Sequence, residues 1–425
     1  MIRKIRIFII AKSLDGGTGT FVDSLSRLYE QYPGHYQIKI ISLTAPSFRL
    51  STHFSPPLSF MKIQSHDLDV YRFSFMTFLA LGKEVYWVSR EARQFHPDII
   101  LTIDSHCAFL GSLYTLFHPS VRLVVTIHNN LRAVTFQKLS PFGRRCMIFF
   151  CRALFQVADG VVGVSQGVSQ DIEKLFFPKY HVLTIYNGLP IKVNHKSYRL
   201  SPVSFRPMSR NLKMPDQVRH DRRQQVQSWY PVLVSVGRLA LQKDFDTLLS
   251  AVWEVKKTYP QVRLSIIGDG PDRPRLEELT ARLHLTKNVL FEGWQSSIDT
   301  YVSQSDMFIL SSHYEGFSYV VLEAMKKRLP VISTNTPYGP AELLDNGKAG
   351  ILVPPSKPKE MAEAIISLVK NKKRYQELSS AALSRSAYFS EEKMLQKYHA
   401  VFLSILGSER KNKRSSVSSG SEPIL

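Results

Sequence analysis

Short runs of β-branched and aliphatic residues recur along this chain, separated by segments long enough for a helix, and this rhythm limits the possible folds more than any other feature. The runs Ile5–Ile10, Ile38–Ser42, Ile99–Ile103, Leu123–Ile127, Gly160–Val164 and His181–Ile185 are mostly continuous rather than alternating. Strands covered on both faces have that pattern, and helix-length spacing calls for parallel strands joined by crossovers. After a break the pattern restarts at Val232–Val236, Arg263–Ile267, Val289–Phe291, Met307–Leu310, Val331–Ser333 and Gly350–Val353. A chain of 425 residues also exceeds what one hydrophobic core usually organises. The prediction is an α/β protein with two doubly wound, Rossmann-like domains.

The break divides the chain into an N-terminal domain over 1–190, a basic linker or insertion over 191–230, and a C-terminal domain over 231–387. Between Ile191 and Tyr230 nine Lys or Arg face two Asp, and Ser201–Tyr230 has neither a helical nor a strand period. Within it, MPDQVRHD (Met214–Asp221) resembles translated repetitive elements inserted in bacterial genes. A terminal helix is expected over 388–406, with Met394, Tyr398, Phe402 and Ile405 on one face. The remainder, 407–425, is polar and basic and is expected to be disordered.

Fifty-five Lys and Arg against 35 Asp and Glu leave a formal charge of +20, which calls for an anionic partner: nucleic acid, an acidic membrane surface or a phosphorylated substrate. A nucleic-acid stripe would interleave its cations with aromatics, whereas many of these lie in the linker and tail, so no nucleic acid is expected. Cys107, Cys146 and Cys151 lack metal-ligand spacing and read as buried thiols of a reducing compartment. The opening MIRKIRIFIIAK reads as a strand, because its apolar run is too short for a signal core and leads into a glycine-rich turn. Apolar stretches stop short of the roughly 18 residues of a spanning helix. The expected location is cytoplasmic, with at most peripheral contact at an anionic membrane.

Chemistry concentrates at strand ends. SSHYEGFSYVVLEAM (Ser311–Met325) follows an apolar strand, passes through a glycine and becomes helix-compatible. The carboxyl edge of an open α/β sheet is where ligands bind, and the first N–H groups of a helix there can hold phosphate. Glu315 falls in the loop and Glu323 about two turns into the helix, so the two carboxylates can serve different hydroxyls. The structural alternative has Glu315 capping the helix and Glu323 on the surface. In VSVGRLALQKDFDTLLSAV, Arg238 and Lys243 flank another strand-to-helix loop, a fork and a point charge suited to a leaving diphosphate. Gly16, Gly17 and Gly19 follow the first strand without the G-x-G-x-x-G spacing of dinucleotide folds. His128, followed by Asn129 and Asn130, ends the strand VRLVVTIH. His106 ends IILTIDSH similarly, with His128 the stronger candidate for a cleft wall.

In their order and separation these segments resemble the retaining glycosyltransferases of family 4, which have the GT-B fold of two Rossmann-like domains facing a central cleft. The resemblance is strongest over Val232–Pro355, through GRLALQKDFDTLL, IIGDGP, NVLFEGW, EGFSYVVLEAM and GILVPP. In the first half it rests on the glycine-rich turn, TIHNN, GVSQGVSQD (Gly163–Asp171) and the hinge IYNGLP (Ile185–Pro190). It implies that Arg238 and Lys243 bind the donor diphosphate, Glu323 the ribose and Glu315 a donor-sugar hydroxyl. Backbone amides of Gly316, Phe317, Ser318 and Tyr319 would hold phosphate, Gly16 and Gly17 would approach the donor, and His128 would lie beside the reacting centre. Base contacts are implied around Gly268–Arg273 and Gly293–Trp294.

The implied activity moves a hexose or N-acetylhexosamine from a UDP- or GDP-sugar to a glycan or lipid-linked acceptor, without metal or other cofactor. The basic charge makes surface polysaccharide or lipopolysaccharide assembly the preferred setting. A sugar-nucleotide epimerase or hydrolase of the same fold, and a basic nucleic-acid-binding protein, are the competing expectations. The inserted-looking 201–230 could alter domain closure.

Overall fold

The apolar runs become two parallel sheets. The structure is a computed structural model, and it describes residues 3–14, 16–44, 58–62, 75–129, 141–176, 181–190 and 230–408. The expected insertion, apart from Tyr230, and the tail beyond Ser408 lie outside the described residues. The first sheet comprises β1 (Ile5–Ala11), β2 (Tyr36–Ser42), β3 (Leu58–Lys62), β4 (Ile99–Ile103), β5 (Arg122–Ile127), β6 (Gly160–Gly163) and β7 (Leu183–Thr184), in spatial order β3-β2-β1-β4-β5-β6-β7. The second comprises β8 (Val232–Val236), β9 (Arg263–Ile267), β10 (Val289–Gly293), β11 (Met307–Leu310), β12 (Val331–Thr334) and β13 (Ile351–Val353), in order β10-β9-β8-β11-β12-β13. Strand β3, at the edge of the first sheet, was not among the expected runs.

Helices cover both sheets, as continuous apolar strands require. In the first half these are α1 (Gly16–Ser26), α2 (Leu28–Gln31), α3 (Phe75–Phe95), α4 (Asp104–Phe117), α5 (Pro141–Val157) and α6 (Gln166–Phe176). In the second they are α7 (Phe245–Thr258), α8 (Arg273–Arg282), α9 (Asp299–Ser303), α10 (Tyr319–Lys326), α11 (Pro340–Leu343), α12 (Pro358–Lys370) and α13 (Lys372–Ser386), followed by α14 (Glu391–Gly407). Alternate residues of β1 serve opposite faces: Phe8 and Ile10 pack under α3 and α4, while Ile7 and Ile9 join a core that runs on to Val321, Leu322 and Met325 of the second half.

Helix α14 explains that continuity. Leu189 bridges to Ser390, so the chain crosses back beside the hinge. The expected apolar face, Met394, Tyr398, Phe402 and Ile405, is buried. It lies against the first sheet's helices and strands, with the Tyr398 ring 5.7 Å from Phe21 and the Phe402 ring 6.4 Å from Tyr36. Arg27 donates to Glu391 at 2.9 and 3.1 Å. Helix α14, the last among the described residues, is thus a structural part of the first half. Phe402→Ala should therefore lower unfolding free energy by about 3–5 kcal/mol, the usual cost of a large core truncation, in urea titration; a change near zero would contradict this packing.

Candidate functional site

In the second sheet strand order reverses between β8 and β11, and the loops leaving those two strands are held together there. Such a reversal opens the crevice in which doubly wound sheets bind ligands. The chain after β8 passes Gly237 and Arg238 into a single 3-10 turn, Leu241–Lys243, and Asp244 then starts α7 by accepting from the Thr247 amide at 3.2 Å. The loop after β11 is laced to it: the His313 amide donates to the Gln242 carbonyl, the Gln242 side chain to the Tyr314 carbonyl, and the Ser311 hydroxyl to the Lys243 carbonyl. Between the loops Lys243 Nζ lies 2.6 Å from Glu315 Oε1, which also accepts from the Ser312 hydroxyl at 2.6 Å. Glu315 is buried, so this ionic hydrogen bond fixes the carboxylate where water competes weakly. Arg238 stands on the same loop with its side chain exposed.

Glu315 does not cap the following helix. Ser318 occupies the cap position of α10 and makes no side-chain bond to the helix amides; its hydroxyl and the Tyr319 phenol are buried without a hydrogen-bond partner among the described residues. The first-turn N–H groups are thus left to whatever anion enters. Glu323 lies four residues into α10, about one turn rather than the expected two. Desolvation, then repulsion from Asp299, pushes its carboxyl up to about 7 against the opposing pull of Lys326 and Lys327. At the other end of α10 Lys326 donates to the Leu189 and Pro190 carbonyls of the hinge at 2.7 and 3.0 Å, and burial brings its ammonium down to about 8.

The first half presses its own strand ends against this loop. His128 follows β5, and its carbonyl oxygen sits where a Cβ on Gly316 would have to go, so only glycine allows the two backbones to meet. Its ring packs edge-on to Phe21 at 4.3 Å, Nε2 is buried without a partner among the described residues, and desolvation lowers the imidazole to about 3, which keeps it neutral. Gly16 and Gly17 form the first turn of α1 rather than a turn before it, and the Tyr319 ring approaches to 3.2 Å from where a Gly17 Cβ would stand.

His106 does not end a strand: β4 stops at Ile103, and His106 sits in α4 with Nε2 2.8 Å from Glu84. Sequence reasoning passed over Asp104. It adopts φ 64° at the start of α4 and accepts from the His128 amide and the Asn129 side chain, each at 2.9 Å. Burial raises this carboxyl to about 6, partly offset by those two bonds. An aspartate just past one strand and an Asn just past the next were the available signal. Asn130 lies outside the described residues, as does the side chain of Cys146, while Cys107 and Cys151 are buried free thiols. Among the described residues no His, Cys, Asp and Glu side chains cluster in a way that could hold a metal ion, and no helix is long and apolar enough to cross a membrane.

Two Rossmann-like sheets with their carboxyl edges meeting across a cleft define a GT-B glycosyltransferase. The family profile Glycosyl transferases group 1 matches residues 217–385, and Glycosyltransferase Family 4 matches residues 16–193. The chain belongs to glycosyltransferase family 4. It is 25% identical over 360 residues to an uncharacterized glycosyltransferase of Methanocaldococcus jannaschii, covering 74% of this chain and 82% of that one. It is 34% identical over 139 residues to the lipopolysaccharide core biosynthesis glycosyltransferase LpsE of Rhizobium meliloti, covering 33% of this chain and 39% of that one. Among solved structures, Anabaena HepE in complex with UDP-glucose superposes with a TM-score of 0.71 at 20% identity, covering 94% of this chain and all of that one.

The raised Glu323 carboxyl sets a stability profile. Its folded value of about 7 exceeds the reference 4.5, so the folded state holds the proton more tightly and stability falls as pH rises from about 4.5 to 7. Glu323→Gln removes that loss: the variant should match the parent near pH 4.5 and exceed it at pH 8 by about 1–3 kcal/mol, allowing for partial exposure. Melting followed across pH checks this, and a pH-independent difference would refute it.

Proposed function

We propose that this glycosyltransferase moves a hexose or N-acetylhexosamine from a UDP- or GDP-sugar to a hydroxyl of a glycan or lipid-linked acceptor, with retention of anomeric configuration and without a metal. The observation that carries this reading is the meeting, at the β8/β11 reversal, of the Lys243–Glu315 pair, exposed Arg238 and a helix start with no side-chain cap. Arg238 and Lys243 take the charge that grows on the diphosphate as the glycosidic bond breaks, helped by the amides of Gly316 to Tyr319. Glu315, oriented by Lys243 and Ser312, accepts from a donor-sugar hydroxyl, and Glu323 from the ribose. Gly16 and Gly17 let the first half approach the donor closely. Neutral His128 can share a hydrogen bond with the sugar without adding charge beside the reacting carbon. The acceptor hydroxyl attacks the face the nucleotide leaves, its proton passing to the departing phosphate oxygen, so no covalent nucleophile is needed.

UDP-glucose in the Anabaena relative's structure supports a nucleotide-sugar donor, and the LpsE similarity supports lipopolysaccharide or surface-polysaccharide assembly. The formal +20 charge favours an anionic, lipid-linked acceptor met at the cytoplasmic membrane face.

Arg238→Ala is the cleanest test, because the exposed side chain makes few demands on the fold. It should lower kcat/KM with the donor about 10²–10³-fold, the usual cost of a charge-stabilising group, with melting unchanged and a chelator without effect. A thermal-shift panel of nucleotide sugars identifies the donor. Failure of every member to shift melting, chelator-sensitive transfer, or an epimerised or hydrolysed sugar without a new glycosidic bond would overturn the reading.

A further inference from the structure

The segment GVSQGVSQD contributes no residue to the proposed donor site, yet it touches the opposite half of the protein. It closes β6 and opens α6, whose first two residues are Gln166 and Gly167. Glu342, on α11 of the second half, places Oε2 2.8 Å from the Gln166 amide nitrogen and Oε1 2.8 Å from that of Gly167. One carboxylate thus satisfies two first-turn donors of an 11-residue helix and meets the positive end of its dipole.

The surroundings fit this arrangement. A Cβ on Gly167 would collide with the Tyr338 ring and come within 3.2 Å of the Pro337 carbonyl, so glycine alone allows the loop before α11 to approach. Arg385 donates to the Glu342 carbonyl at 2.8 Å and holds its backbone. The same loop backs the donor loop: a Cβ on Gly339 would lie 3.0 Å from the Gly316 carbonyl oxygen. Gly316 in turn rests on His128.

We infer that Glu342 is a positioning residue, a latch that holds the halves closed by occupying the start of α6 and so seats the Gly316 loop against His128. The consequence for turnover rests on the proposed donor site; the closure itself does not. Separation of the halves must break two charge-assisted hydrogen bonds, and α6 then presents bare amides to water. Glu342→Gln keeps the size and drops the charge, and Gly167→Ala drives the two surfaces apart from the opposite side.

Both variants can be examined without any sugar. Hydrogen exchange of the 165–171 segment should quicken about tenfold in each, as expected when one hydrogen bond to a charged group is broken, and small-angle scattering should show a larger radius of gyration. Glu342→Asp should recover part of the protection. With UDP-glucose, or the donor found by the panel, KM should rise more than kcat falls, since closure gathers the groups that bind the donor. Unchanged exchange and radius in both variants would overturn the latch, as would faster exchange at an unchanged radius, which would mark Glu342 as a local cap. Nucleotide sugars that fail to bind while the variants still open the protein would sink the donor reading and leave the latch standing.

Discussion

The ion pair between Lys243 and Glu315 is the interaction on which the arrangement of the second half depends. It joins loops from β8 and β11, neighbours only because strand order reverses between them, at 2.6 Å and largely shielded from water. Removal of either partner would leave the other charged and desolvated, a heavier penalty than the pair's own gain. The surrounding bonds, Ser312 on Glu315 and Ser311 on the Lys243 carbonyl, tie the two loops into one body. Under the proposed function a donor meets groups already oriented, which is where electrostatic stabilisation of a transition state has most effect.

The two halves meet through backbone as much as through side chains. Gly316 lies against the His128 carbonyl and Gly17 under Tyr319, so a methyl group at either place would wedge or crowd the cleft. Around this meeting point the apolar core passes without interruption from β1 and α1 to α10, and α14 returns to cover the first sheet. Lys326 on the hinge carbonyls and the Leu189–Ser390 bridge then place the crossing segments beside the end of α10.

Legibility followed the range of the interaction. Val232–Val236, Arg263–Ile267 and Met307–Leu310 could be placed to the residue, because each is a compact apolar run between clear breaks. Strand β3 could not: its LSFMK follows a Ser/Pro-rich stretch and is short, and a strand at the sheet edge needs no long apolar signal. The glycines at 16 and 17 looked like a turn because glycine is a poor helix former, yet tertiary packing draws them into the first turn of α1. The candidate residues were visible as loop residues at strand ends, but the Lys243–Glu315 pairing spans 72 positions and requires the strand order, which hydrophobic rhythm does not specify. Asp104 and Glu342 are harder still, since each acts mainly on backbone amides: Asp104 on that of His128, with the Asn129 side chain as its signal, and Glu342 on those of Gln166 and Gly167.

Burial acts on His128 and Glu323 in ways that suit the proposed reaction, whose developing charge belongs on the nucleotide. It holds His128 neutral and brings Glu323 close to half-protonated near neutrality, so neither brings a full, fixed charge into the cleft. Glu315 is buried with an ammonium beside it, so the two charges are matched inside the protein. Arg238 is thus left as an exposed cation of the loop, and under the proposed function a dianionic leaving group is the ligand it complements. The proposed function takes the two carboxylates as hydroxyl acceptors rather than as an acid and a base. An acid/base pair would place two unmatched carboxyls across a reacting bond, whereas here one is paired to Lys243 and the other sits a helical turn inside α10.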